Sequence, residues 1–186
     1  RSDLRQRLLD IVTLAALQQD GDSFIKIQSP QDPAFERIRL QNLQIRRSDP
    51  DLRFLYTMRS DDQGIYFVVD AVTPDDPLGS PYGTRYIEPG PVLAANFNTM
   101  NKPMIEENFY TDEYGTFLSA YAPFYTSDGK PAGIIGADIT AAKITIAERQ
   151  ALIRLAILFL LSLPLIALSG WFMGNTIAGP ITSLTQ

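Results

Sequence analysis

The sequence predicts an α+β domain with one antiparallel sheet, followed by a helix that crosses a membrane. Three observations carry this. Apolar residues recur at helical spacing over the first fifty positions, then switch to a period of two from Leu52 onward. Prolines 74, 77, 81, 89, 91 and 103 interrupt the strand-like segments with a long irregular crossing. Every charged residue lies at or before Arg154.

Residues 1–18 read as a long helix, with Leu4, Leu8, Ile11, Leu14 and Ala15 as its apolar positions and Gly21–Ser23 as its end. A second helix begins at Pro33, capped by Asp32, and carries Phe35, Ile38, Leu43 and Ile45 to a stop at residues 48–50. The segment 52–58 then alternates. Leu52, Phe54, Tyr56 and Met58 share one face, and Arg53, Leu55 and Thr57 the other. IYFVVD (65–70) is a second strand, rich in β-branched and aromatic residues. A short helix is predicted at PVLAANF, and strands at 108–112, 116–125 and 132–139, which makes a five-stranded sheet.

Residues Leu155 to Met173 contain no charge. As a helix they span about 28 Å, close to the roughly 30 Å hydrocarbon layer of a bilayer. Trp171 suits an interfacial anchor and Arg154 a snorkelling one, and lipid tolerates Pro164 within the span. Lys143, Arg149 and Arg154 precede the span and no basic residue follows it. Taken alone, the positive-inside rule places residues 1–154 in the cytoplasm. The chain opens on Arg1 and closes at Gln186 within a helix-like run, as a piece of a longer protein does.

Composition narrows the function classes. Sixteen Lys and Arg against 21 Asp and Glu give a net charge of -5, which offers a nucleic-acid partner no electrostatic support. With no histidine and no cysteine, thiol nucleophiles, thiolate or imidazole metal sites and histidine-based triads are excluded. No cofactor is called for, and Asp75 and Asp76 read as solvated loop charges rather than calcium ligands. All eight tyrosines (56, 66, 82, 86, 110, 114, 121 and 125) fall in the sheet-and-loop region. Buried phenols need hydroxyl partners, so the clustering points either to sheet packing or to an apolar pocket with convergent polar tips. Met58, Phe67 and Phe124 are expected in the core.

LRFLYTM, IYFVVD, LGSPY and GTFLSAYAPFYTSDGKPAGIIGADI, in that order, resemble the extracytoplasmic Cache sensor domains, relatives of the PAS fold. The resemblance covers residues 1 to about 145. NTIAGPITSLTQ (175–186) resembles the start of a HAMP linker: Pro180 opens the helix, and Ile177, Ile181 and Leu184 stand at coiled-coil spacing. The implied organisation is a sensor at 1–145, a juxtamembrane helix at 146–154, a membrane helix at 155–173 and a HAMP start at 174–186. It overrules the local basic count and places residues 1–154 in the periplasm or outside the cell, with the chain beyond 174 in the cytoplasm. A membrane helix ahead of residue 1, a homodimer, and a last strand that continues into the membrane helix are also implied.

For the site, the resemblance carries over Tyr110, Asp112 and Asp138, positions that hold a ligand ammonium in amino-acid-binding members. Their carboxylate clamp is not reproduced; SPYGTRY offers only Tyr82, Arg85 and Tyr86. Tyr56 and Tyr121 complete the expected pocket. The partner implied is a small polar molecule: an amine, an amino acid or a carboxylate. Asp138 reads equally as a carboxylate at a helix start, and Asp112 as a turn residue in DEYG. Three functions follow from these readings: a ligand-sensing module, a module of the same fold that only dimerises or positions a receptor, and an enzyme built on a carboxylate pair. The first is the reading adopted, with no enzymatic activity assigned to residues 1–186.

Overall fold

The computed structural model describes residues 2–73 and 76–173. The HAMP-like positions Ile177, Pro180, Ile181 and Leu184 lie outside the described residues, as do Asp75 and the side chain of Trp171. Two compact units divide the chain, Arg1–Lys143 and Ile144–Gln186.

Helix α1 (Ser2–Leu17) buries Leu8, Val12 and Ala15 completely. These stand at i, i+4 and i+7, on one helical stripe. Leu14, expected on that stripe, is exposed, because six residues beyond Leu8 is two-thirds of a turn off the buried line. The helix ends at Leu17, and Gly21–Phe24 forms a separate short helix, α2, capped by the Asp20 carboxylate accepting from Ser23 N. Helix α3 (Pro33–Ser48) starts at the predicted proline. Asp32 stands at its N-cap, but its carboxylate accepts from Gln28 N and Ser29 N and closes the preceding turn instead. Gln19 Nε2 donates to buried Asn42 Oδ1 at 2.9 Å and ties α3 to the end of α1.

The strands are β1 (Leu52–Asp61), β2 (Gly64–Asp70), β3 (Met104–Ile105), β4 (Tyr110–Asp112), β5 (Gly115–Tyr125) and β6 (Pro131–Thr140), with helix α4 (Pro91–Asn96) in the long crossing. All pairings are antiparallel, in the order β2-β1-β6-β5-β3, and β4 also pairs with β5. The five predicted strands are present. The sixth, β3, has two residues, too few to show a period of two in the sequence.

Helix α1 packs on β5 and β6, and α3 on β1 and β2. The other side of the sheet gathers Phe54, Tyr56, Met58, Phe117, Tyr121 and Ile134 with Phe67 of β2 and with Tyr86, Leu93 and Met100 from the crossing. Edge-to-face ring pairs knit this layer, including Tyr56–Phe67 at 5.2 Å and Phe54–Phe117 at 5.6 Å, each contributing about 0.5–1.5 kcal/mol beyond burial. The Glu106 carboxylate, 2% exposed, accepts from Val92 N and Leu93 N and fixes the start of α4 over the sheet.

Strand β6 ends at Thr140 and α5 (Ala141–Met173) begins at the next residue. Within α5, Ile153–Gly170 has a mean hydropathy of 2.1 and none of it is buried. It is long and apolar enough to cross a membrane, and Pro164 lies inside it.

Candidate functional site

The site is written in the register of three strands. Phe54, Asp138 and Ser119 stand in one cross-strand row, and Tyr56, Gly136 and Tyr121 in the next. Gly136 makes the connection between the rows: a Cβ there would lie 2.5 Å from a Tyr56 ring carbon. Its absence lets the Tyr56 ring lie over β6, where the hydroxyl donates to Asp138 Oδ1 at 3.0 Å.

Asp138 is 4% exposed and sits inside the strand rather than at the helix start. Burial pushes its carboxyl up to about 8, against hydrogen bonds with Ser119 and Tyr56 that pull it down; Asp112 and Asp70 add repulsion. Tyr56 in turn is held well above the usual phenol range, first by burial and then by the Asp138 charge.

A chain of hydroxyls runs beside this pair. Tyr86 OH donates to Asp112 Oδ2 at 2.6 Å. A phenol has one proton, so at the 2.9 Å contact between Tyr86 and Tyr110 it is Tyr110 that donates. Tyr110 OH also meets Ser119 Oγ at 3.0 Å and Tyr121 OH at 3.2 Å. The other oxygen of Asp112 accepts from Tyr114 N and Gly115 N, closing the β4–β5 turn. Asp112 is thus a turn residue and a member of the cluster at once.

A cavity of about 10 Å³ lies between these groups, room for a single water. Phe54, Tyr56, Phe67, Tyr86 and Tyr114 supply its aromatic wall, and Leu78 and Ser80 border it. Asp70, Asp112 and Asp138 supply its charge, and no basic side chain among the described residues lines it. Two larger grooves, of about 320 and 250 Å³, lie at the end of α1 against β5 and beside Arg59. Neither touches the hydroxyl chain.

Tyr56, Tyr86, Tyr110, Asp112, Tyr121 and Asp138 are therefore brought together. Tyr82 and Arg85 are not. Tyr82 OH reaches toward Ile27 O at 3.5 Å. Arg85 binds both oxygens of Asp61, at 2.6 and 2.7 Å, and lies over the Tyr66 ring. The cause is local: residues 84–86 run extended along β2, through Phe67 N to Thr84 O and Tyr86 N to Ile65 O, so neighbours 85 and 86 face opposite sides. Asp76 is not a solvated loop charge, since Arg53 grips both its oxygens at 2.7 and 3.0 Å.

The residue that sequence reading missed is Asp70. One extra residue in β2, between the pairs Thr57–Val69 and Met58–Phe67, forms a bulge. It puts Phe67 and Asp70 on the same face, where strict alternation would separate them. Asp70 is 6% exposed; Oδ2 accepts from Ser80 N at 2.9 Å, and Oδ1 has no hydrogen-bond partner among the described residues. Burial pushes its carboxyl up to about 7, opposed by the Ser80 hydrogen bond and by Arg46.

Helices on one face of an antiparallel sheet, and a pocket under a long crossing on the other, define a PAS-like α+β fold. Among solved structures, the E. coli DcuS sensor domain is similar to this chain, with a TM-score of 0.53 over 77% of this chain and 93% of that one, at 14% identity. The likeness is one of fold. No family model matches the sequence, and no curated protein does.

Proposed function

We propose that this chain is the ligand-sensing extracytoplasmic module of a bacterial transmembrane receptor of the Cache type. It works as a homodimer in the cell membrane, and passes its signal through β6 and α5 to a HAMP linker and a cytoplasmic output. The observation that carries the reading is Asp138: a buried carboxylate that no cation among the described residues faces within its cavity, on the strand that runs into α5. A buried carboxylate is stable only when neutral or paired. With Asp112 and Asp70 beside it, the pocket favours a small ligand bearing an ammonium group and disfavours a free carboxylate.

Titrating the chain in lipid nanodiscs with amines, amino acids and carboxylates tests this directly. Amines are expected to bind and to raise the melting temperature, as a ligand of the native state does. The roughly one-water cavity favours a second reading, a ligand-free module that only dimerises or positions the receptor. Thermal shifts absent across all three classes would select it. Membrane orientation has its own test. A reporter that works only in the cytoplasm, fused after Gln186, should be active; activity only of a periplasmic reporter would reverse the topology.

A further inference from the structure

The space between the cavity's lining groups is about 10 Å³, so anything larger than water reaches Asp138 only if part of the wall moves. We propose that residues 76–80 of the long crossing are a strap that opens this cavity, with the Arg53–Asp76 ion pair as its latch. The opening is a property of the fold; what enters through it rests on the cation-binding reading above.

Three observations lead there. First, the strap is the part of the wall that the sheet does not hold. Phe54, Tyr56, Phe67, Asp70, Asp112 and Asp138 stand on strands. Tyr86 N donates to Ile65 O alongside β2, and Tyr114 N donates to Asp112 in the β4–β5 turn. Leu78 and Ser80 line the cavity without such a frame. Among the described residues, no backbone–backbone hydrogen bond joins 76–80 to a strand. The segment bonds to itself instead: Gly79 N donates to Asp76 O and Leu78 N to Asp76 Oδ1, each at 3.1 Å. It is a small turn that can lift as a unit.

Second, polar side chains fasten it. Arg53 donates to both oxygens of Asp76, at 2.7 and 3.0 Å. Ser80 N donates to Asp70 Oδ2 at 2.9 Å, and the Ser80 side chain bonds the Tyr114 hydroxyl. Asp76 therefore serves the turn and the latch at once. Bonds of this kind are exchanged for bonds with water when the strap lifts, at far lower cost than opening a strand ladder. Third, the strap separates the cavity from solvent. Leu78 borders the cavity and is 37% exposed, so this one side chain reaches from the inner wall to water. On the other side of the latch, the Arg53 guanidinium lies 4.3 Å from the centre of the Phe54 ring, and Phe54 stands opposite Asp138.

The test has two arms, both on the full chain in nanodiscs. Hydrogen–deuterium exchange, read by mass spectrometry, compares the amides of 76–80 with those of 66–70 in β2. The strap should exchange at least about a hundredfold faster, as a locally opening segment does. Asp76→Asn keeps an acceptor for Leu78 N and leaves Arg53 on Phe54, yet removes the ion pair. It should speed strap exchange by about a further tenfold and leave β2 unchanged. Arg53→Gln is the second variant, and circular dichroism checks that each is folded. Strap amides as slow as those of β2 would overturn the proposal. So would equal acceleration of both segments, the mark of a chain destabilised as a whole. In the second arm, stopped-flow tyrosine fluorescence follows binding of n-propylamine. Association and dissociation should both quicken about tenfold in Asp76→Asn, the dissociation constant moving less than either rate. Unchanged rates would overturn the strap as the way in. If n-propylamine does not bind the folded chain, the cation-binding reading fails, and the exchange arm alone decides the strap.

Discussion

Replacing Asp138 by Asn should stabilise the protein, increasingly so as pH rises. The side chain is buried and its carboxyl titrates at about 8, whereas in the unfolded chain it titrates near the model value of 3.8. Below about pH 4 the group is protonated in both states and contributes nothing to the pH dependence. Between about pH 4 and 8 the unfolded chain releases the proton and the folded one keeps it. Stability therefore falls with pH, by about 1.4 kcal/mol for each unit. Beyond about pH 8 the loss is complete. Over roughly four units it reaches about 5 kcal/mol, a large share of a typical domain's stability. Asn does not titrate, so the variant escapes this loss.

Urea unfolding of residues 1–143, followed by far-ultraviolet circular dichroism at pH 5, 7 and 9, measures it. The stability difference between Asp138→Asn and wild type should be small at pH 5, reach several kcal/mol at pH 7, and level off near pH 9. Carboxylates remote from Asp138 are common to both proteins and cancel in that difference, whereas Asp70 and Asp112, which repel the Asp138 charge, are coupled to it and cancel only in part. A difference that stays flat from pH 5 to 9 refutes the reasoning, because it means Asp138 has no raised titration in the folded state. A uniform destabilisation would refute it too, and would assign the carboxylate a structural role through Tyr56 alone.

Gly136→Ala places a methyl 2.5 Å from the Tyr56 ring and should cost about 1–3 kcal/mol in urea unfolding while weakening amine binding. Tyr86→Phe strips Asp112 Oδ2 and Tyr110 of a partner and should cost about 1–3 kcal/mol by the same assay. Arg85→Ala removes a solvent-screened surface pair with Asp61, so ligand affinity should be unchanged and the urea midpoint should barely move; a tenfold loss of affinity would bring Arg85 back into the site. Amine affinity should rise from pH 6 to 8, by up to about tenfold per unit, because binding expels the Asp138 proton; a flat titration profile would remove Asp138 as the ammonium anchor.

Much of this was legible in the sequence because period and composition are local signals. The change from helical to alternating spacing at Leu52 marks β1, and IYFVVD and GIIGADI are β-rich enough to mark β2 and β6. The tyrosine clustering pointed either to sheet packing or to a pocket with polar tips, and the structure joins the hydroxyls of Tyr86, Tyr110 and Tyr121. What escaped were features set by register. The bulge in β2 reverses the face of Asp70 relative to Phe67, and nothing in IYFVVD announces an extra residue. Arg85 was drawn into the site by its neighbours, yet alternation along residues 84–86 already separates it from Tyr86. Asp112 seemed to demand a choice between turn and site, although its two oxygens serve one role each.

The energetic position of Asp138 bears on how such a site sends a signal. A ligand shifts a conformational equilibrium only by the difference in its affinity for the two states. Moving a population from one part in a hundred to ninety-nine takes about 5.5 kcal/mol. The cost of ionising Asp138 in its buried place is of that same order, about 5 kcal/mol. On the proposed reading, an ammonium that pairs with the carboxylate offsets this cost in the state that closes around it and not in the state that stays empty. The residue sits two positions before the end of β6, and α5 follows without a connecting loop. On the same reading, the place where a ligand would have the greatest differential effect is also where β6 passes into α5. Asp138→Asn then separates the two properties, since it should give a more stable protein that no longer responds.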